Sequence, residues 1–327
     1  MSKFSLWCDF IENSFLDNEF LELITQGFIN GATSNPAIFK NAILNSPIYK
    51  AKIANLKGKK AKEIYEILAT EDIAKAADKL ALNFYTKNDG FISLEIDPRL
   101  WDNASLSTGE AKRLYNTIGK ANVMMKIPAT QASYEAMYEL MKSGISVNAT
   151  LIFSYDQAKR CFEALNEGLK AFRENNFALK GNKRTPKAVI SVFVSRFDRL
   201  LNSRVKDKNS LGILTASLAY DFIHSQNEPN IRTLFASTGV KGDDLPKDFY
   251  IKELLFEDSV NTAPLDALHA FKGQELKFKK ALSFNELHQK LLEQDISQDE
   301  LEKACKFLLD DGLKQFCTAF EEILQAL

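Results

Sequence analysis

The sequence predicts a (β/α)8 barrel, and three observations carry that prediction. Short β-rich runs alternate with longer helical stretches along the chain, the pattern of parallel βαβ units. Seven such runs and a weaker eighth can be marked out, and eight strands close a barrel of this kind. Most runs have one apolar face and one face with isolated polar groups towards the C-terminal end, as expected where strands line an active-site mouth. The competing reading is a doubly wound open sheet. It lacks its usual mark, because no GxGxxG follows a strand.

The elements follow in order. FSLWCDF (4–10) sets Leu6, Cys8 and Phe10 against Trp7 and Asp9. GFINGATS (27–34) comes second, and Gly31, Thr33 and Asn35 share a parity. Ser34-Asn35-Pro36 has the form of a helix N-cap followed by proline at the first helical position. Residues 52–87 repeat apolar positions at helical spacing, within a helical insertion expected over about 41–90. FISLEID (91–97) opposes Ser93, Glu95 and Asp97 to Ile92, Leu94 and Ile96. NVMMKIPA (122–129) opposes Met124 and Lys126 to Val123, Met125 and Ile127. Pro128 falls where the strand ends and no ladder donor is needed. A helix over 133–143 leads to ISVNATLIF (145–153), where Ser146, Asn148 and Thr150 oppose Val147, Ala149 and Leu151. A helix over 154–175 leads to AVISVFVS (188–195), where Ser191, Phe193 and Ser195 oppose Ile190, Val192 and Val194. Helical patterns over 196–205 and 210–226 precede RTLFAST (232–238), whose Ser237 shares a face with Thr233 and Phe235. SVNTA (259–263) is the weak eighth, and its Asn261 and Thr262 fit turn or cap roles better than ligand roles. Extra helices are expected over about 265–327, in a chain read as one domain, 1–327.

A sheet with one solvated face would also alternate. It would carry many Lys and Glu on the polar face. The polar faces here hold small hydroxyls, amides, few carboxylates and one amine. That favours a lined cavity. Lys126 by itself reads two ways: a lysine reaching out from an edge strand, or an amine able to lose its proton in an apolar surround and form a Schiff base. The neighbours decide for the second. Glu95 lies one strand earlier and Thr150 one strand later, and Asp9 supplies a separate carboxylate. Two carboxylates around one lysine suit aldol chemistry, which needs an acid/base for the carbinolamine. Arg196 and Lys241 follow the sixth and seventh strands and so fall at the mouth, where phosphate commonly binds. GNKRTPK (181–187) and Arg232 precede strands, so they fall at the opposite end, the former as a solvated loop.

Composition narrows the function. Lys+Arg 42 against Asp+Glu 43 gives a formal net charge of −1, with no nucleic-acid or anionic-membrane signature. Cys8, Cys161, Cys305 and Cys317 form no CxxC, and there are three histidines, so a zinc site is not expected. Scattered cysteines fit a reducing cytosol. The opening MSKFSLWCDFIENSF reads as no signal peptide, its apolar stretch being cut short by Asp9. No window has the length of a transmembrane helix. The chain is expected to be a monomer or a homodimer.

NGATSNPAIF, SLEIDPRL, KIPAT, SVNATLIFS, SVFVSR and ASTG, in this order, resemble transaldolases, most closely the longer bacterial subgroup. The likeness runs through nearly the whole chain. It implies a (β/α)8 barrel of the class I aldolase type and transfer of a dihydroxyacetone unit between sugar phosphates. It implies no metal and no organic cofactor, and a place in the cytoplasmic non-oxidative pentose phosphate pathway. By motif it implies Lys126 as the Schiff-base lysine, and Asp9 and Glu95 as acid/base groups. Thr150 would help hold a water, while Thr33, Asn35, Asn148, Ser191, Phe193, Arg196 and Ser237 would bind substrate. The family's second phosphate-binding arginine, close after that serine, is replaced by Thr238-Gly239, and Lys241 is the expected stand-in.

Overall fold

The computed structural model describes residues 4–178 and 184–327. Gly181, Asn182 and Lys183 of the GNKRTPK loop lie outside the described residues. The strands are β1 (Phe4–Cys8), β2 (Gly31–Thr33), β3 (Ile92–Glu95), β4 (Val123–Pro128), β5 (Ser146–Ile152), β6 (Ala188–Phe193), β7 (Ile231–Ala236) and β8 (Ser259–Ala263). They pair in sequence order, all parallel, into a closed barrel, so each expected run is a strand. The helices are α1 (Asn13–Asp17), α2 (Glu19–Thr25), α3 (Pro36–Asn45), α4 (Pro47–Ala54), α5 (Ala61–Lys87), α6 (Ala104–Ile118) and α7 (Ser133–Lys142). After these come α8 (Tyr155–Ala178), α9 (Ser195–Leu201), α10 (Leu211–Ser225), α11 (Phe249–Glu253), α12 (Leu265–Phe271), α13 (Phe284–Leu292) and α14 (Gln298–Ala326). Among the described residues no helix is long and apolar enough to cross a membrane.

The alternation of strand residues builds two apolar regions. Val123, Met125, Ile127, Val147 and Ile190 pack outwards against helical residues such as Leu140 and Leu165. Trp7, Met124, Val189, Phe193, Leu234 and Val260 fill the barrel interior. Trp7 is the bulky plug near its base. Gly31 on the neighbouring strand makes room for it, since a Cβ there would meet the Trp7 ring at 2.6 Å. The indole Nε1 donates to Asp89 Oδ1 at 3.0 Å and Ser5 Oγ at 2.9 Å, so the buried polar edge is satisfied.

Three local departures from the sequence reading have identifiable causes. The single helix expected over 52–87 is broken between α4 and α5, where Gly58 takes φ +90° and the Lys60 N–H donates to Glu63 Oε2 at 2.9 Å to restart the helix. Helix α6 was not anticipated, although Asn103 Oδ1 caps it by accepting from Leu106 N at 2.9 Å and Gly119 closes it at φ +65°. Leu151, expected on the helix-facing side, joins the interior cluster. The β5–β6 register shifts between Ala149 and Ile152, and Leu151 has φ +56°. A bulge has re-aimed it.

Helix α14 crosses the mouth of the barrel. Its Gly312 sits where a Cβ would meet Leu151 Cδ2 at 2.9 Å and Arg196 Nη1 at 3.4 Å. The close approach therefore depends on that glycine. Further along, Phe320 packs edge-on against Tyr65 of α5 at 5.0 Å.

Candidate active site

The strand register brings the chemistry together. Glu95 on β3 is level with Lys126 on β4, and Lys126 is level with Asn148 on β5. Adjacent parallel strands thus place an acid, an amine and an amide side by side. Lys126 is 5% exposed. Its Nζ donates to the Ser34 carbonyl at 3.0 Å and lies 3.4 Å from Glu95 Oε2, at ion-pair distance. The Phe316 ring of α14 covers it, with its centroid 5.5 Å from Nζ.

Glu95 is sealed beside Lys126, off the cavity wall, and neither of its oxygens has a hydrogen-bond partner among the described residues. Burial pushes its pKa up to about 7, against the opposing pull of the Lys126 charge. Asp9 follows β1, tied by its N–H to the Ala263 carbonyl at 2.9 Å. Its Oδ1 accepts from Thr33 Oγ1 at 2.6 Å, and Thr33 Oγ1 is 2.7 Å from Thr262 Oγ1. Burial raises the Asp9 pKa, while the Lys126 charge and the Thr33 hydroxyl hold it down. Two carboxylates thus flank one amine in different settings, one bare and one hydrogen-bonded.

A cavity of about 200 Å³ opens above this set. Asp9, Thr33, Asn35, Lys126, Asn148, Thr150, Ser191, Phe193, Arg196 and Ser237 line it. Asn35 also caps α3, accepting from Ile38 N at 3.1 Å, so the cap and the rim position coexist. Asn148 is fixed from both ends: its Oδ1 accepts from Ser191 Oγ at 2.6 Å and its Nδ2 donates to Ser93 Oγ at 2.9 Å. The Thr150 hydroxyl is buried and has no partner among the described residues. Arg196 stands with its guanidinium carbon 5.2 Å from the Phe193 ring centroid. Its Nε and Nη1 make no hydrogen bond among the described residues, and its nearest carboxylate is Asp311 at 3.9 Å.

Several expectations are corrected. Lys241 is exposed and outside the cavity wall, while Thr238 is buried and donates to the Thr262 carbonyl at 2.7 Å. Ser237 does reach the cavity, but not by the strand parity assumed for it. Phe235 packs outwards against Tyr220 at 6.2 Å, and Leu234 and Ala236 point inwards. Ser237 gets there through a left-handed backbone at φ +54°. Asp97 leaves the site altogether, bound by Arg99 at 2.7 Å and Lys62 at 3.0 Å. Thr262, which the sequence suggested was a turn or cap residue, lines the cavity; its parity with the inward Val260 was the available signal. Gln315 and Phe316 of α14 also line it, and no local pattern marks them out. No group of three or more His, Cys, Asp and Glu that could hold a metal gathers among the described residues.

A closed (β/α)8 barrel with a lysine and two carboxylates buried at the C-terminal ends of its strands defines an enzyme of the barrel class. The chain matches the Transaldolase/Fructose-6-phosphate aldolase family over residues 6–327. It is 73% identical to a transaldolase of Campylobacter jejuni over 328 residues, covering the whole of both chains. It is 45% identical to a transaldolase of Helicobacter pylori over 332 residues, again covering both completely. The chain belongs to the transaldolase/fructose-6-phosphate aldolase family, and it is a transferase.

Proposed function

We propose that this enzyme moves a dihydroxyacetone unit from a ketose phosphate, sedoheptulose 7-phosphate or fructose 6-phosphate, to an aldose phosphate, glyceraldehyde 3-phosphate or erythrose 4-phosphate, through a Schiff base on Lys126. The observation that carries this reading is the Lys126 amine, buried 3.4 Å from Glu95 on the wall of a cavity that also holds Asp9. The unprotonated amine attacks the ketose C2 carbonyl. Glu95, through a water held with Thr150, delivers the proton that lets the carbinolamine lose water. Its pKa of about 7 gives it both protonation states near neutrality, and the free hydrogen-bonding capacity of Glu95 and Thr150 supports the relay. Asp9 then takes the C4 hydroxyl proton. The C3–C4 bond breaks and its electron pair flows into the iminium, leaving an enamine on Lys126. The aldose phosphate departs, a second one enters, and the steps reverse.

Asn35, the locked Asn148 and Ser191 hold the donor hydroxyls, and Arg196 with Ser237 holds the phosphate. Free Nε and Nη1 groups on Arg196 support that assignment. Lys241 is given no part. The reading calls on no metal or organic cofactor, and its setting is the non-oxidative pentose phosphate pathway in the cytoplasm. Phe193 on the cavity wall keeps proton donors from the enamine, which favours transfer over release. Phe193→Tyr should raise the release of free dihydroxyacetone relative to transfer, and an unchanged ratio would count against this role.

Borohydride reduction in the presence of fructose 6-phosphate tests the whole reading. Mass spectrometry of peptides should find a three- or six-carbon adduct on Lys126 and lost activity. A protein left unmodified, or a Lys126→Arg variant that still turns over, would overturn it, since guanidinium cannot serve as a neutral amine.

A further inference from the structure

A second cavity, of about 300 Å³, opens at the other end of the barrel. Its walls come from segments that lead into strands: Asn88 and Asp89 after α5, Lys187 before β6, and Arg232 and Thr233 in β7. Tyr220 and Ile223 of α10 form an apolar side. No residue of the proposed reaction lies here.

The charges on this wall are unevenly matched. Asp89 is committed to Ser5, to Trp7 Nε1 at 3.0 Å and to its own loop through Gly90 N at 3.0 Å, and it also faces Arg232 at 3.5 Å. Glu228 is held by both nitrogens of the Arg173 fork, at 2.9 and 3.0 Å. Lys87 and Asp258 are both exposed at the rim, where water screens them. Arg232 is satisfied by the Asp258 and Ser259 carbonyls, each at 2.9 Å. Lys187 is different. Among the described residues its Nζ reaches the Asn88 carbonyl alone, at 3.4 Å, and has no carboxylate at ion-pair distance. Burial, with Arg232 and Arg184 nearby against the single charge of Asp89, lowers its pKa to about 8. On the same wall Thr233 is buried, and its hydroxyl has no partner among the described residues. Lys187 is therefore more than a solvated surface charge: its ammonium has no carboxylate partner among the described residues.

We propose that this cavity is a binding site for a small organic anion, its charged group on Lys187 and an apolar body against the side formed by Ile223 and the edge of Tyr220. Tyr220 donates its hydroxyl to the Glu257 carbonyl at 2.8 Å and stacks on Phe256 at 4.8 Å and His224 at 5.2 Å, so it offers the cavity only an apolar edge. A carboxylate and a phosphate monoester share the required chemistry.

The test uses the full chain carrying Arg196→Ala, which removes the anchor at the mouth. Lys187 is acylated with a limiting amine reagent at pH 8 and quantified by peptide mass spectrometry. Phenyl phosphate and benzoate are the two probes, with sodium chloride of matched ionic strength as the reference. Protection of Lys187 by about tenfold, at roughly ten times the probe's dissociation constant, with other lysines unchanged, is expected from at least one probe. Whichever protects identifies the preferred head group. In a Lys187→Met protein, which removes the ammonium and keeps its apolar stem, calorimetry should find that probe bound about tenfold more weakly. The proposal is overturned if neither probe protects Lys187 beyond the salt reference, or if Lys187→Met binds as well as the parent. Borohydride trapping at Lys126 is read independently, so failure at one end leaves the other intact.

Discussion

At the residue scale, each carboxylate has an environment that suits a different task. Asp9 is kept usable by one hydroxyl, Thr33 Oγ1 at 2.6 Å. Removing that donor disfavours the carboxylate form. Thr33→Val should therefore move the acid limb of kcat/KM to higher pH, and Thr33→Ser should restore it; a pH profile of the three proteins checks this. Asp9→Asn should form the borohydride-trappable adduct yet cleave C3–C4 about 10²-fold or more slowly, the range typical of a lost general base. Glu95 has the opposite character, since burial raises its pKa from 4.5 to about 7. A carboxyl whose folded-state pKa is raised contributes stability that is present below pH 4.5 and is lost as the pH rises through about 7. That loss is on the order of 3 kcal/mol. Glu95→Gln should flatten this part of the stability profile, measured by urea unfolding between those pH values, while slowing adduct formation.

At the element scale, the strands were legible in the sequence because each has an apolar face towards the helices and an inward face carrying isolated polar groups, which leaves alternation as a strong signal. Parity put Glu95 and Lys126 on the inward face, and the register sets them level; Thr150, expected beside Lys126 on the next strand, is level with Pro128 instead, and Asn148 takes the place beside Lys126. Parity failed where the backbone departs from an extended strand. The bulge at Leu151 and the left-handed turn at Ser237 both involve non-glycine residues, which carry no sequence mark for such conformations. Lys241 was misplaced for a related reason: distance along the chain after a strand does not fix the direction of the loop. Gln315 and Phe316 were missed because α14 reads as an ordinary amphipathic helix, and only its packing over the mouth makes one flank functional. Gly312 is what permits that packing. Gly312→Val should lift α14 from Leu151 and Arg196, raising KM for phosphorylated substrates more than it lowers kcat. Steady-state kinetics, with circular dichroism to confirm folding, decides this, and an unchanged KM would mean that α14 does not shape the phosphate end.

At the scale of the whole molecule, the two ends of the barrel carry opposite relations between stability and activity. The base is plugged by Trp7, 1% exposed, with its indole N–H satisfied. The interior around it is apolar, including Met124 and Leu234. Trp7→Ala would leave a void and remove one of the hydrogen bonds to Asp89, costing roughly 3–5 kcal/mol. The mouth holds a buried ammonium and a carboxylate that are close but not hydrogen-bonded, an arrangement expensive to desolvate. Lys126→Met removes the ammonium. The Glu95 carboxyl then loses the positive charge that lowers its pKa, so it stays protonated at neutral pH and leaves no orphan charge. Lys126→Met should abolish transfer while unfolding at equal or higher denaturant, whereas Trp7→Ala should unfold at markedly lower denaturant, with KM unchanged wherever the protein remains folded. Paired unfolding and activity measurements read both signs together. A Lys126→Met protein clearly less stable than the parent would show that the buried pair holds the barrel together rather than being carried at the fold's expense for chemistry.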